Sequence, residues 1–297
     1  MASGQLQLLT DSRVTNLSPA AAKGSWTVEV NDGEKTIAVP SVIICTGGFA
    51  FPSATSILSK VAPELTNLGS TNAPTTTGDG ITLAIAVGAG TIDMDHVQVH
   101  PTGFSDVPAG FKEVEGEKRS LILCAEIVRG SGGILLDGRG ERFVDELETR
   151  KFITNAMNER AKAQGQEKVE FVIAVPPSAQ AAVEAHINIY GGKGLLIPVD
   201  GVAGVEKFVK DRLSGDQVNV AETFRKERAG SGVSRRTTTN LTDEGTYYVG
   251  VVQPVLHYTM GGLKVNKEGR VLGEDDKEIG GLFAAGEVMG GVHGENR

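Results

Sequence analysis

No apolar run in this 297-residue sequence approaches the roughly 20 residues that a membrane helix needs, so insertion into a bilayer is not expected. Basic clusters are missing too. The net charge is −8 and Lys and Arg are spread along the chain, which leaves no positive stripe for a nucleic-acid backbone or an anionic lipid. Neither nucleic acid nor a membrane is therefore an expected partner. The sequence holds only two cysteines, Cys45 and Cys124, each inside an apolar run. That excludes a disulfide framework or a metal knuckle and predicts two buried thiols in a reducing compartment. The first residues have neither secretory nor transit character. The expectation is a soluble, intracellular protein, with cytoplasm, mitochondrion and other organelles all left open. Also lacking is the G-x-G-x-x-G turn that seats a pyrophosphate on a helix N-terminus. Gly88 and Gly90 are correctly paired but Asp93 stands in the third place, and Gly130 with Gly132 leads to Leu135. Spacing alone declares no dinucleotide site.

What is present reads as α/β, with enough chain for two domains. WTVEV, the NDG turn and TIAV predict a small β meander that feeds SVIICTGGF, read as a buried strand ending on Gly47 and Gly48. A helix is expected after Gly80, then a strand through DHVQVHPTGF. GGILLDGRGERFVDE resembles a hairpin, and LETRKFITNAMNERAKAQ has helical periodicity that stops at Gly165. Beyond it lie a strand, FVIAV, and amphipathic helical stretches near 179–186, 202–213 and 220–228. GGLKVNKEGRVLG is again hairpin-like, and IGGLFAAGEVMGG is a strand that runs into glycines. Two strand-to-glycine endings thus flank a helix-richer middle, the pattern of one domain inserted into another.

At VQVHPTGF, AEIVRGSGGILLDGRGERFVDELETR, HYTMGGLKV and GLFAAGEVMGGVHGENR the wording, order and spacing resemble the flavoprotein subunit family of fumarate reductases and succinate dehydrogenases, most nearly its soluble, flavocytochrome c type members. The resemblance covers nearly the whole chain. It implies an α/β fold in which part of a domain binding flavin adenine dinucleotide (FAD) is interrupted by an inserted α+β capping domain. Residues 1–97 would be the latter part of the first FAD-domain segment, 98–257 the cap and 258–297 the return segment. Members of the family begin with a dinucleotide-binding βαβ unit and continue beyond the NR pair. By that comparison this chain is truncated at both ends, and as it stands it is expected to retain no FAD and to be inactive. A noncatalytic folded fragment is the alternative to an enzyme.

The implied activity of the full-length protein is FAD-dependent reduction of fumarate to succinate, with hydride from flavin N5. The same family leaves open succinate oxidation, aspartate oxidation and reduction of another 2-enoate. The implied partners are a small dicarboxylate and an electron donor, either an attached domain or reduced flavin or nicotinamide. The resemblance makes Arg150 the proton donor, with Glu126 and Arg129 relaying protons and Glu126 also near the substrate. Read from the residues alone, Glu126 and Arg129 are spaced to pair on one helical turn and Arg150 is an ordinary surface charge. His100, His257 and Arg297 would bind the carboxylates, a role that suits imidazole donors and a planar guanidinium fork. Ala125 stands where many members have a threonine, and one missing neutral hydrogen bond weakens binding by about 0.5–1.5 kcal/mol. Cys45, Asp79, Tyr258 and Glu287 fall at positions that contact FAD, Tyr258 in place of a histidine found in some relatives. Read by itself, Asp79 is an acid at a helix N-terminus. His96, His186 and His293 match no ligand and are read as structural.

Overall fold

Phe171–Val175 is apolar at every position, a pattern that only a strand covered on both faces tolerates. The computed structural model, which describes residues 6–22, 24–108, 120–213, 217–233 and 240–295, shows both covers. Phe171, Ile173 and Val175 point into a core shared with Ile153, Met157 and Ala161 of the helix Arg150–Ala163 and with Val183 and Tyr190 of the helix Gln180–Gly191. Val172 and Ala174 point the other way, against Val205 and Val209 of the helix Gly201–Leu213 and Phe224 of the helix Val220–Arg228. Full burial of each large apolar side chain is worth roughly 1.5–3 kcal/mol, so the two-sided arrangement doubles what one strand contributes.

The sheet in this α/β/α sandwich runs Ile197–Asp200, Thr246–Thr259, Phe171–Val175, Ile134–Leu136, with Gly69–Ser70 and Val97–Phe104 also on the long strand Thr246–Thr259. Pro254 lacks an N–H yet lies inside that strand. It falls where partners change: the register with Phe171–Val175 ends at Val252 and the parallel register with Gly69–Ser70 begins at Val255. The stretch read as a hairpin, GGILLDGRGERFVDE, has a tight turn at Asp137–Gly140, but its return arm is a single bridge from Leu136 to Arg142. Its first arm pairs instead with Phe171–Val175. These elements form one compact unit, residues 67–74 and 98–257.

The other unit comprises residues 1–66, 75–97 and 258–297. It contains the antiparallel meander Val14–Pro19, Trp26–Val30 and Lys35–Val39, and a three-stranded sheet of Arg270–Leu272, Glu278–Ala284 and Val42–Ile44. Trp26 Nε1 donates to the Gly280 carbonyl at 3.1 Å and ties the two together. The helix Asp79–Ala86 packs in the same unit. The reading of SVIICTGGF as a buried strand with a buried thiol needs correction. Only Val42–Ile44 is strand, and it lies at the end of its sheet, paired among the described residues with Glu278–Ala284 alone. One side of such a strand is open. Ile43 is accordingly 65% exposed and Cys45 is exposed, while Ile44 and Cys124 are buried.

Candidate active site

His100 lies on the strand Val97–Phe104 and is fully buried. Its Nδ1 accepts the Thr102 backbone N–H at 3.2 Å, and the Thr102 hydroxyl donates to the Cys124 carbonyl. With Nδ1 occupied as an acceptor, the neutral ring carries its proton on Nε2. That Nε2 is buried and has no hydrogen-bond partner among the described residues. Burial first, then the positive fields of Arg129, Arg150 and His257, hold the His100 pKa down to about 2. His100 is thus a neutral, unspent donor. The His257 ring stands edge-on to it, centroids 5.4 Å apart. His257 Nδ1 is 2.8 Å from the Thr71 hydroxyl, and its carbonyl accepts from Asn72 Nδ2 at 3.1 Å.

Arg150 is the first residue of its helix, after the N-cap Thr149, whose hydroxyl accepts from the Phe152 N–H. Its side chain is only 18% exposed, because Glu126 Oε2 takes both Nε at 2.8 Å and Nη2 at 2.6 Å, and Nη1 donates to Gln98 Oε1. Arg150 is therefore no ordinary surface charge. Gln98 and His100 are two residues apart on one strand and share a face, which brings Arg150 toward the imidazole. Glu126 opens the short helix Glu126–Gly130. Instead of waiting only on Arg129 one turn away, it reaches Arg150, 24 residues on in sequence.

Arg129 is 2% exposed, and its Nη1 donates to the Glu146 carbonyl at 2.7 Å. Burial lowers its pKa, against the raising influence of Glu126, so it is a guanidinium for which the neutral form costs less than usual. The Glu146 carboxylate, also buried, accepts from Leu135 N–H and from Nε and Nη2 of Arg142. Arg142 in turn meets Glu227 at 2.6 Å. Tyr190 accepts the Ala125 N–H and donates to the Leu123 carbonyl, which fixes the backbone just before Glu126. The unit thus sets His100 within the fields of two guanidiniums, Arg129 and Arg150, and of the His257 imidazole, an arrangement suited to an anion with carboxylate geometry.

In the other unit, Cys45 lies in the loop 45–48, which Glu287 and Gly80, the residue after Asp79, approach. A Cβ on Gly80 would be 2.2 Å from Thr46 Oγ1, and one on Gly48 would be 2.1 Å from Thr259 Oγ1 and 2.4 Å from Glu287 Oε1, so side chains pack directly on the backbone at both glycines. Asp79, in the first turn of its helix, accepts from the Thr77 hydroxyl at 2.7 Å and pairs with Arg13 at 2.9 Å. Glu287 accepts from the Thr259 N–H and hydroxyl. Tyr258 stands edge-on to His293, centroids 5.3 Å apart. Arg297 lies outside the described residues. Among the described residues no group of His, Cys, Asp and Glu could hold a metal ion, and no helix is long and apolar enough to cross a membrane.

Gln98, Thr71, Thr102, Glu146 and Arg142 were not singled out from the sequence. Gln98 carried a usable signal, the two-residue spacing from His100 on a strand. Thr71 carried none, since its partner is 186 residues away.

The sequence profile described as an FAD binding domain matches residues 2–297. A fumarate reductase of Schizosaccharomyces pombe is 35% identical over 99% of this chain and 56% of its own length. Fumarate reductase 1 of Saccharomyces cerevisiae is 35% identical over 97% of this chain and 61% of its own. The chain thus spans a little over half the length of these two relatives. The solved open conformation of a flavocytochrome c3 fumarate reductase superposes with a TM-score of 0.70 at 29% identity, covering 96% of this chain and 48% of that one.

Proposed function

The chain belongs to the FAD binding domain family, and on that premise we propose that, in a protein of its relatives' length, it serves a flavin-dependent fumarate reductase. The observation that carries the reading is His100, a buried Nε2–H donor without a partner among the described residues, with His257 and Arg150 gathered beside it. A dicarboxylate offers the acceptor that the buried His100 Nε2–H lacks.

The residues of the other unit fit FAD. Gly47, at φ +75°, presents backbone without a side chain to a bulky ligand, and Asp79 and Glu287 supply carboxylates of the kind that accept from ribitol hydroxyls. FAD, when bound and reduced, supplies the hydride for one alkene carbon. His100 holds and polarises one carboxylate of the substrate by donation from Nε2, and His257 with Arg297, by its place in HGENR, holds the other. Donors already oriented by Thr102 and Thr71 cost no reorganisation as charge develops. Arg150 gives its proton to the second alkene carbon and is steered there by Gln98 and Glu126. Arg129 and Glu126 return a proton to it from water. The unit built of residues 98–257 with 67–74 acts as the cap, and the electron donor is an attached domain or a reduced flavin or nicotinamide.

Ala125 favours a second reading, reduction of another unsaturated acid, because it offers the substrate no hydroxyl. The test is anaerobic: the flavin of a full-length protein is reduced, then mixed with fumarate or with an unsaturated monocarboxylate. Reoxidation fastest with fumarate, yielding succinate, supports the proposal. Reoxidation by the monocarboxylate alone moves it to the second reading.

A further inference from the structure

The segment Asn67–Pro74 packs with the unit formed by residues 98–257, and it is tightly seated there. Gly69 and Ser70 run parallel to Val255 and Leu256, and the Thr71 N–H donates to the Leu256 carbonyl at 2.9 Å. Asn72 is held from two sides, by its bond to the His257 carbonyl and by the Ser120 hydroxyl, which donates to the Asn72 carbonyl at 2.6 Å. A Cβ at residue 69 would be 2.4 Å from Leu121 Cδ1, so the Leu121 side chain packs directly on the backbone of the strap. The result is a Thr71 hydroxyl fixed 2.8 Å from His257 Nδ1.

A threonine hydroxyl has one hydrogen to give. Its two acceptors are the Leu256 carbonyl at 3.3 Å, which already receives the Thr71 N–H, and His257 Nδ1 at 2.8 Å. The shorter of the two contacts, by 0.5 Å, is the one to His257 Nδ1. We propose that Thr71 is a positioning residue that donates to His257 Nδ1, and thereby places the ring proton on Nε2, where it faces the dicarboxylate. The dicarboxylate part of this rests on the function proposed above. His100 is set the same way by the Thr102 N–H, so both imidazoles present Nε2–H rather than a lone pair to an incoming anion. Without the Thr71 hydroxyl, His257 can place its proton on Nδ1, and that form repels a carboxylate at Nε2. If half the population shifted, affinity would fall about twofold, and loss of the fixed ring orientation would add to it.

The test is nitrogen NMR of the histidine rings in protein labelled with ¹⁵N-histidine, as wild type, Thr71→Val and Thr71→Ser, followed by titration with succinate. In the wild type, His257 Nδ1 should resonate as a hydrogen-bonded pyridine-type nitrogen and Nε2 as pyrrole-type. Thr71→Val should shift both toward exchange-averaged values and weaken succinate by about twofold to tenfold. Thr71→Ser, which keeps the hydroxyl, should restore the wild-type spectrum. A pyrrole-type Nδ1 in the wild type would overturn the proposal, as would an unchanged spectrum in Thr71→Val or a Thr71→Ser that matches it. A changed tautomer with unchanged succinate affinity would overturn the role toward the anion. The tautomer is read without ligand or turnover, so a protein that ignores fumarate and succinate refutes the proposed function and still decides the assignment of Thr71.

Discussion

Replacing His100 with glutamine should change how the protein responds to acid. In the folded state burial and the neighbouring cations hold the His100 pKa to about 2, whereas an unfolded chain returns it to its ordinary 6.5. Between those values the unfolded state binds a proton that the folded state refuses, so stability falls as pH drops below 6.5. His100 is fully buried, and solvent screening does not dilute the effect. One proton of difference costs about 1.4 kcal/mol per pH unit, or about 2 kcal/mol by about pH 5. Other groups titrate in the same range. The informative quantity is therefore the difference between wild type and His100→Gln in urea unfolding free energy, measured at several pH values. Glutamine does not titrate, so the variant should gain on the wild type by about 2 kcal/mol between neutral pH and about pH 5, whatever its stability at pH 7. A difference that stays flat over that range would refute the claim that His100 is held neutral, and with it the picture of an uncharged donor.

Two further outcomes test the surroundings. Arg142→Met strands the buried carboxylate of Glu146 and removes the partner of Glu227, which should cost about 3–5 kcal/mol in chemical denaturation; a loss below about 1 kcal/mol would place the pair among ordinary surface bridges. In the native protein a thiol reagent should modify Cys45 rapidly and leave Cys124 untouched until denaturant is added, since Cys124 is buried and its pKa is pushed up to about 12.

Local pattern made some elements legible and left others hidden. FVIAV announced a strand, which the fold covers on both faces, and Gly165, at φ +66°, marks the left-handed stop after the helix Arg150–Ala163. The apolar SVIIC misled, because apolarity says that a strand has a buried side and not how many neighbours it has. At the site, residue types pointed to carboxylate chemistry only through resemblance to a family. One-turn spacing offered Arg129 as the partner of Glu126, yet the tertiary fold brings in Arg150, and no periodicity encodes a contact between two helices. Thr71 and His257 meet across 186 residues through a strap that sequence presents as loop. Long-range positioning of this kind belongs to packing, and packing is not written in any window of the chain.

The central claim is that Arg150 gives the proton that completes reduction of fumarate, and single-turnover kinetics test it most directly. In a full-length protein with its flavin reduced, wild type and Arg150→Ala are mixed with fumarate and flavin reoxidation is followed. Flavin content should be unchanged in the variant, and fumarate affinity nearly so, because the proposed carboxylate ligands His100, His257 and Arg297 are left in place. The chemical step should slow by roughly 10² to 10⁴, the usual contribution of a positioned acid, with lost charge stabilisation adding to it. Retention of more than about a tenth of the wild-type rate would contradict the account and leave Arg150 as one more carboxylate ligand.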